Sequence, residues 1–230
     1  GRGILLNELF YTVARPVTRV THIVRQGAGR RIITNARMIN QGQMPLLYYT
    51  EDFAFQQIGD KGRVLQRVLN ICAEGKLGDP YRNLQVLAPA KKGILGVVNL
   101  NERLQERLNP PEASKREARL GKRLFREGDK VMQVKNNYQT EWYKPDQQGY
   151  GVVNGDMGRI KEIDERERVV EILFEEGRVA YYTYPMLEEL DLAYAVTIHK
   201  SQGSEFPIVL MPICDGPPML FTRNLLYTGV

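Results

Sequence analysis

The spacing of apolar residues changes twice along this chain, and the second change restores the first pattern. Residues 57–74, QIGDKGRVLQRVLNICAE, place Ile58, Val64, Leu65, Val68, Leu69 and Cys72 near one face of an amphipathic helix. Leu84-Gln85-Val86-Leu87-Ala88 reads as a buried strand that ends at Pro89. Gly93–Leu108 returns to helical spacing through Leu95, Val98, Leu100, Leu104 and Leu108, and stops at Pro110-Pro111. Strand, turn and helix in that order indicate an α/β layer with a parallel sheet. From about 128 to 184 the runs become short and alternating, as in GDKVMQVKNNY, GRIKEID, RVVEILFEEG and RVAYYTY. Asn-Gly and Glu-Gly turns separate them, the pattern of a small antiparallel barrel. From Leu190 the α/β character resumes, with a strand leading to Ile198, a second strand at Pro207–Met211 and a helical pattern over 219–230. The expectation is a discontinuous α/β domain, 1–111 and 190–230, interrupted by an antiparallel barrel at 112–189.

Composition allows this plan. The chain has 230 residues, 43% hydrophobic and 26% charged, enough for two small cores. No apolar run reaches membrane-spanning length, and GRGILLNELFYTVA is too short and too polar for a leader, so no membrane partner is expected. The two cysteines, Cys72 and Cys214, sit in apolar surroundings without zinc-site spacing or disulfide density, which fits a reducing cytoplasm. The net charge of +5 is mildly basic and compatible with a polyanionic partner. Its densest cluster is KREARLGKRLFR, with Lys115, Arg116, Arg119, Lys122, Arg123 and Arg126 against Glu117. That cluster reads either as a solvated helix face or as a phosphate contact, as does the smaller group of Arg30, Arg31 and Arg37.

The stretch 195–206, AVTIHKSQGSEF, sets small and polar residues between two strand-like runs. In an open α/β sheet, functional groups gather where strands end at their carboxyl side. Hydroxyls, an imidazole and glycine-freed amides suit phosphate or sugar contacts, and Glu205 could accept from hydroxyls. A plain polar turn shaped by Gly203 is the competing reading. Pro89, Lys91 and Lys92 also follow a strand and read as either nucleic-acid backbone contacts or solvated side chains. His22, inside a strand-like run, reads as structural. Trp142 and Tyr143, in TEWYKPDQQGY, could stack bases or pack on the barrel. Asn154-Gly155-Asp156 reads as a tight hairpin turn.

Several segments together resemble the RecD-like branch of the superfamily 1 helicases. AYAVTIHKSQGSEFPIVLM is similar to motif V of that branch, with its T-x-H-K-(S/A)-Q-G-x-E-(F/Y) core. IVRQGAGRRIITNARMINQ resembles motif IV, with Val24 where the family usually carries an aromatic or larger apolar residue. LQVLAPAKKGILGVVNLNERLQERLN resembles the strand and helix before the inserted domain, GDKVMQVKNNY and VVNGDMGRI the SH3-like 2B domain, and TRNLLYTGV the first part of motif VI. They run in family order over almost the whole chain.

The resemblance implies a second RecA-like motor domain of P-loop NTPase type, without a P-loop of its own, carrying an SH3-like insertion. It also implies roles. Arg25 would reach the γ-phosphate of ATP, supported by Gln26. Thr197 and His199 would touch the single strand, with Lys200 and Ser201 nearby, while Gly203 and Glu205 would face the nucleotide. ATP and Mg²⁺ would serve the intact protein, and the partners would be single-stranded DNA, an N-terminal motor domain and, in one family setting, RecB- and RecC-type subunits. No G-x-x-x-x-G-K-(S/T) occurs, acidic pairs such as Asp164-Glu165 do not follow an apolar strand, and the motif VI arginine is not reached. The chain is therefore expected to be a piece of a 5′→3′ DNA helicase that does not hydrolyse ATP by itself. The alternative is a non-catalytic nucleic-acid-binding adaptor with a KOW-type barrel.

Overall fold

The computed structural model describes residues 8–13, 31–46 and 53–213. His22, Arg25, Gln26, Cys214 and the 219–230 helical pattern lie outside the described residues. In chain order the elements are β1 (Glu8–Val13), α1 (Arg31–Asn40), β2 (Phe53–Gln57), α2 (Lys61–Glu74), β3 (Leu84–Ala88) and α3 (Val97–Leu108). Nine strands follow: β4 (Glu117–Leu120), β5 (Arg123–Arg126), β6 (Lys130–Gln133), β7 (Asn137–Lys144), β8 (Gln147–Val152), β9 (Met157–Asp164), β10 (Val169–Phe174), β11 (Val179–Thr183) and β12 (Leu190–Leu192). The chain then returns through β13 (Ala195–Thr197) and β14 (Ile208–Ile213). Two compact units result: Gly1–Glu102 with Ala195–Val230, and Arg103–Tyr194. The division falls inside α3; beyond it, Gln105 on the helix and Asn109 just after it turn their amides to the Asp129 carboxylate within the second unit.

The first unit is built on a five-stranded sheet in the order β13-β3-β14-β1-β2. Only β13, β3 and β14 run parallel; β1 pairs antiparallel with both β14 and β2, so the expected parallel sheet is mixed. The 57–74 helix starts later than its periodicity suggested. Phe53–Gln57 joins the sheet, and Asp60 caps the first turn by accepting from the Arg63 amide at 2.9 Å. Ile58 therefore precedes the helix. Gly75, at φ 64°, ends it in the left-handed conformation that glycine adopts without strain. Val64, Leu65, Val68, Leu69 and Cys72 are buried, as their spacing requires. β3 is buried along its whole length.

α3 departs from its pattern at one position. Leu95, Leu100 and Leu104 are buried, but Val98 is 57% exposed. Residues 93–96 form a turn ahead of the helix, with Gly93 at φ 97°.

The second unit is antiparallel, with a seven-stranded sheet in the order β12-β6-β9-β10-β11-β7-β8 and a separate β4-β5 hairpin. Among the described residues the pairing does not close: β12 and β8 are both edges, an open sheet where a barrel was expected. Its core joins Phe125, Val131, Ile160, Ile163, Val170, Ile172, Phe174 and Tyr182. The Asn154-Gly155 turn is not a hairpin turn. It carries the chain from β8 to β9, which pair with different neighbours, and the Gly155 amide donates to the Gln133 carbonyl at 2.8 Å. The true hairpin turn, Pro145-Asp146, lies inside the stretch that reads as a polar loop, so Trp142 and Tyr143 stand on β7. Trp142 packs on the core and over Gly149, where a Cβ would lie 2.4 Å from its ring, whereas Tyr143 is partly exposed. The β8 edge is uneven: Gly151 has φ 99°, and the β7–β8 register shifts between Asn137 and Glu141.

Candidate nucleic-acid interface

The parallel pairing of β13 with β3 decides what stands beside what. Thr197 is opposite Ala88, so both strands end at the same edge of the first unit's sheet. The turn after β3 carries Pro89, Lys91 and Lys92, and the loop after β13 carries His199 through Glu205. Two segments more than a hundred residues apart thus leave the sheet side by side.

The loop after β13 divides by burial. Thr197 is buried, and its hydroxyl accepts from the Lys200 amide at 3.3 Å, starting a 3₁₀ turn over Ile198–Ser201. Ser201 is buried as well, and its Oγ donates to the Ile198 carbonyl at 2.7 Å. Both hydroxyls therefore hold the turn from within. His199, Gln202, Gly203, Ser204 and Glu205 are exposed, and Lys200 is half-buried. Gly203 has φ 85°, a conformation that a side chain would strain, although nothing crowds its Cβ position.

The turn after β3 is similarly fixed. Pro89 is buried at the strand end, while Lys91 and Lys92 are exposed. Among the described residues neither ammonium pairs with a carboxylate.

Asn101 on α3, which periodicity alone did not single out, holds this edge. Its side chain is buried and pairs with both backbone groups of Ala195: Nδ2 donates to the carbonyl at 2.9 Å and Oδ1 accepts from the amide at 2.8 Å. Among the described residues β13 has a strand neighbour only on the β3 side, so Asn101 satisfies groups that an edge strand otherwise leaves open. A polar residue between helical leucines was the available signal.

Of the remaining expected site residues, Arg25 and Gln26 lie outside the described residues. The helix that follows them, α1, is described. Its Asn35 is fully buried and clasps the Leu46 backbone, with Nδ2 donating to the carbonyl at 3.0 Å and Oδ1 accepting from the amide at 2.8 Å.

In the second unit the dense basic cluster is not a helix face, and its Arg119 and Lys122 are exposed. β4 and β5 pair as a hairpin, and most of the cations have internal partners. Arg126 is buried, with Nη1 donating to the Asn109 carbonyl at 2.6 Å and Nη2 2.7 Å from Glu117. Arg116 reaches the Ile163 carbonyl, Arg123 the Leu190 carbonyl and Lys115 the Glu112 carboxylate. At the centre Asp129 is fully buried and accepts from Gln105, Asn109, the Arg126 amide and the Tyr194 hydroxyl at 2.6–2.9 Å. Burial holds its carboxyl above the usual carboxylate range, although these hydrogen bonds pull the other way. Burial also raises Tyr182, whose hydroxyl donates to Gln133. No described helix is long and apolar enough to cross a membrane, and among the described residues no His, Cys, Asp and Glu side chains gather to hold a metal ion.

The sequence matches say which family carries a sheet ending in paired loops with this antiparallel insertion. Residues 192–230 match the UvrD-like helicase C-terminal domain, and residues 100–174 match the SH3 domain of ATP-dependent RecD-like DNA helicases. The chain belongs to the RecD-like helicases. It is 31% identical over 217 residues to the ATP-dependent RecD2 DNA helicase of Deinococcus radiodurans, covering 94% of this chain and 27% of that protein. It is 23% identical over 150 residues to the RecBCD enzyme subunit RecD of Buchnera aphidicola subsp. Schizaphis graminum, covering 65% of this chain and 23% of that one. The chain thus spans about a quarter of the length of these curated relatives. Among solved structures, the Pif1 helicase of Candida albicans aligns with 90% of this chain and 52% of its own at 16% identity, with a TM-score of 0.44. That likeness is too loose to carry weight.

Proposed function

We propose that these residues form the C-terminal motor part of an ATP-dependent 5′→3′ DNA helicase working in the cytoplasm. They would supply contacts to single-stranded DNA and one wall of the ATP cleft. The observation that carries this reading is the shared edge where β3 and β13 end, which sets Lys91 and Lys92 beside His199 and Lys200. Four side chains able to donate to phosphate, two of them cations without a carboxylate partner among the described residues, form a positive rim along which a backbone can lie. Thr197 and Ser201 would act by shaping that rim, since both hydroxyls are engaged inside the turn. Gly203 and Glu205, at the far end of the same loop, would meet the nucleotide together with Arg25 and Gln26. One loop touching both ligands can pass a change at the nucleotide to the strand.

ATP and Mg²⁺ would be held chiefly by an N-terminal motor domain, because no P-loop sequence occurs in these 230 residues. Further partners would be RecB- and RecC-type chains where the protein works as an exonuclease V α subunit, as the names of the Buchnera relatives suggest.

Fluorescence anisotropy with a labelled single-stranded oligonucleotide, at low and moderate salt, tests the DNA contact. Salt-sensitive binding is expected, since such affinity comes largely from phosphate neutralisation. No binding at low salt would refute it. A Mg²⁺-dependent phosphate-release assay on residues 1–230 should give no turnover, and measurable ATPase activity would overturn the division of labour.

A further inference from the structure

The turn between β3 and α3 exposes more than its lysines. Ile94 is 51% exposed and Val98 57% exposed, four residues apart and next to Lys91 and Lys92. Single exposed aliphatic side chains are ordinary on a protein surface, but two of them on one rigid backbone make a defined platform. Here the backbone is pinned from several sides. The Gly96 amide donates to the Gly93 carbonyl at 3.0 Å, Val97 to Ala90 at 3.0 Å and Val98 to Lys91 at 3.1 Å. Asn99 Nδ2 donates to the Ile94 carbonyl at 2.6 Å. Gly96 has no room for a side chain, because a Cβ there would lie 2.4 Å from the Lys92 carbonyl carbon and 2.7 Å from the Lys91 oxygen. The turn is thus a fixed mount that holds two apolar side chains in solvent beside two exposed cations.

We infer that Ile94 and Val98 form an apolar shelf for a base of the bound single strand, while Lys91 and Lys92 hold the phosphates on either side. This rests on the proposed DNA contact at the shared edge of β3 and β13. The chemistry selects the occupant. A phosphate backbone satisfies both ammonium groups, and a base is the flat, weakly polar surface that always accompanies phosphates in a single strand. In a duplex that surface is stacked away, so the pairing of shelf and cations favours unpaired strands over double-stranded DNA.

The test compares two labelled oligonucleotides of one length, one with normal bases and one made of abasic tetrahydrofuran units, by anisotropy on the 230-residue protein. Ile94→Ala and Val98→Ala should each weaken binding of the normal oligonucleotide about threefold to tenfold, the order expected when an aliphatic contact is lost. Neither should change binding of the abasic one. Ile94→Leu should restore affinity. Lys91→Ala with Lys92→Ala should weaken both oligonucleotides and lower the slope of log affinity against log salt by about 1.4. Ile94 and Val98 are exposed, so their variants should melt with the parent, and a melting curve checks this. If Ile94→Ala and Val98→Ala bind both oligonucleotides like the parent, or weaken both equally, the shelf is wrong and the DNA contact stands. If the parent binds neither oligonucleotide at low salt, the contact and the shelf both fall. Loss of a protein–protein interaction in these variants with DNA affinity unchanged would assign the patch to a protein partner and also overturn the shelf.

Discussion

Four of the six cations within Lys115–Arg126 and the two in the turn after β3 meet opposite fates. The larger group has the stronger charge density, yet Lys115, Arg116, Arg123 and Arg126 bond to neighbouring carbonyls and carboxylates. Lys91 and Lys92 stand exposed on a turn that cannot relax around them. Charge density along a sequence therefore does not report charge available to a ligand. A cation is available only when its backbone is held where no internal acceptor reaches it. The inserted unit uses polarity to fix its own fold; the edge of the sheet leaves polarity for something outside.

The sharpest way to break this contrast is to remove the polar centre of the inserted unit. Asp129→Ala leaves two side-chain amides, the Arg126 backbone amide and the Tyr194 hydroxyl without their acceptor. A loss of about 3–5 kcal/mol is expected, the scale of breaking a buried charged network, read by urea denaturation. Lys91→Ala with Lys92→Ala should leave the same unfolding curve unmoved. Asn101→Ala comes next, at about 1–3 kcal/mol, because it uncovers both Ala195 backbone groups on the β13 edge. It should also raise hydrogen exchange at Ala195, whereas a purely global effect would spread evenly through the unit.

A pH series sharpens the comparison. The folded state holds the Asp129 proton more tightly than the unfolded chain does, because burial raises its pKa above the ordinary 3.8. Its contribution to stability is thus complete below about 3.8 and is lost as pH rises through the raised value. Asp129→Asn cannot titrate, so its deficit relative to the parent should shrink as pH rises from about 4 to 7. A constant or growing deficit would break the assignment. The smallest effect is expected from Arg116→Ala and Arg123→Ala, each at about 1 kcal/mol or less in stability and within about twofold in DNA affinity. A large affinity loss in either would return the basic cluster to the interface.

Much of this was legible in the sequence because burial leaves a period. The apolar face of α2, the all-buried β3 and the switch to alternating runs in the insertion follow from which residues must leave water. The stretch around His199 was legible as a loop at a strand end. What escaped was set by partners distant in the chain. No local pattern shows that β1 would turn a parallel sheet mixed, or that β12 and β8 would each pair on one side only among the described residues. Val98 fits the helical period as well as Leu95 does, and only the three-dimensional surroundings leave it exposed. Thr197 and Ser201 read as ligand-contacting hydroxyls in the sequence, and their bonds to Lys200 and Ile198 inside the turn could not be read there. The reach of Arg116 to Ile163 spans 47 residues, beyond any window that reads charge as a surface property.

The open edge at β8 has its own consequence. A strand edge without a described neighbour is a template on which a second molecule can extend the sheet. Gly151, with its positive φ, and the register shift opposite it break the even row of amides and carbonyls that such growth needs. Straightening β8, for instance by replacing Gly151 with a β-branched residue, would strain the fold and smooth its most adhesive border at once. The irregularity makes this border of the sheet uneven where the pairing ends.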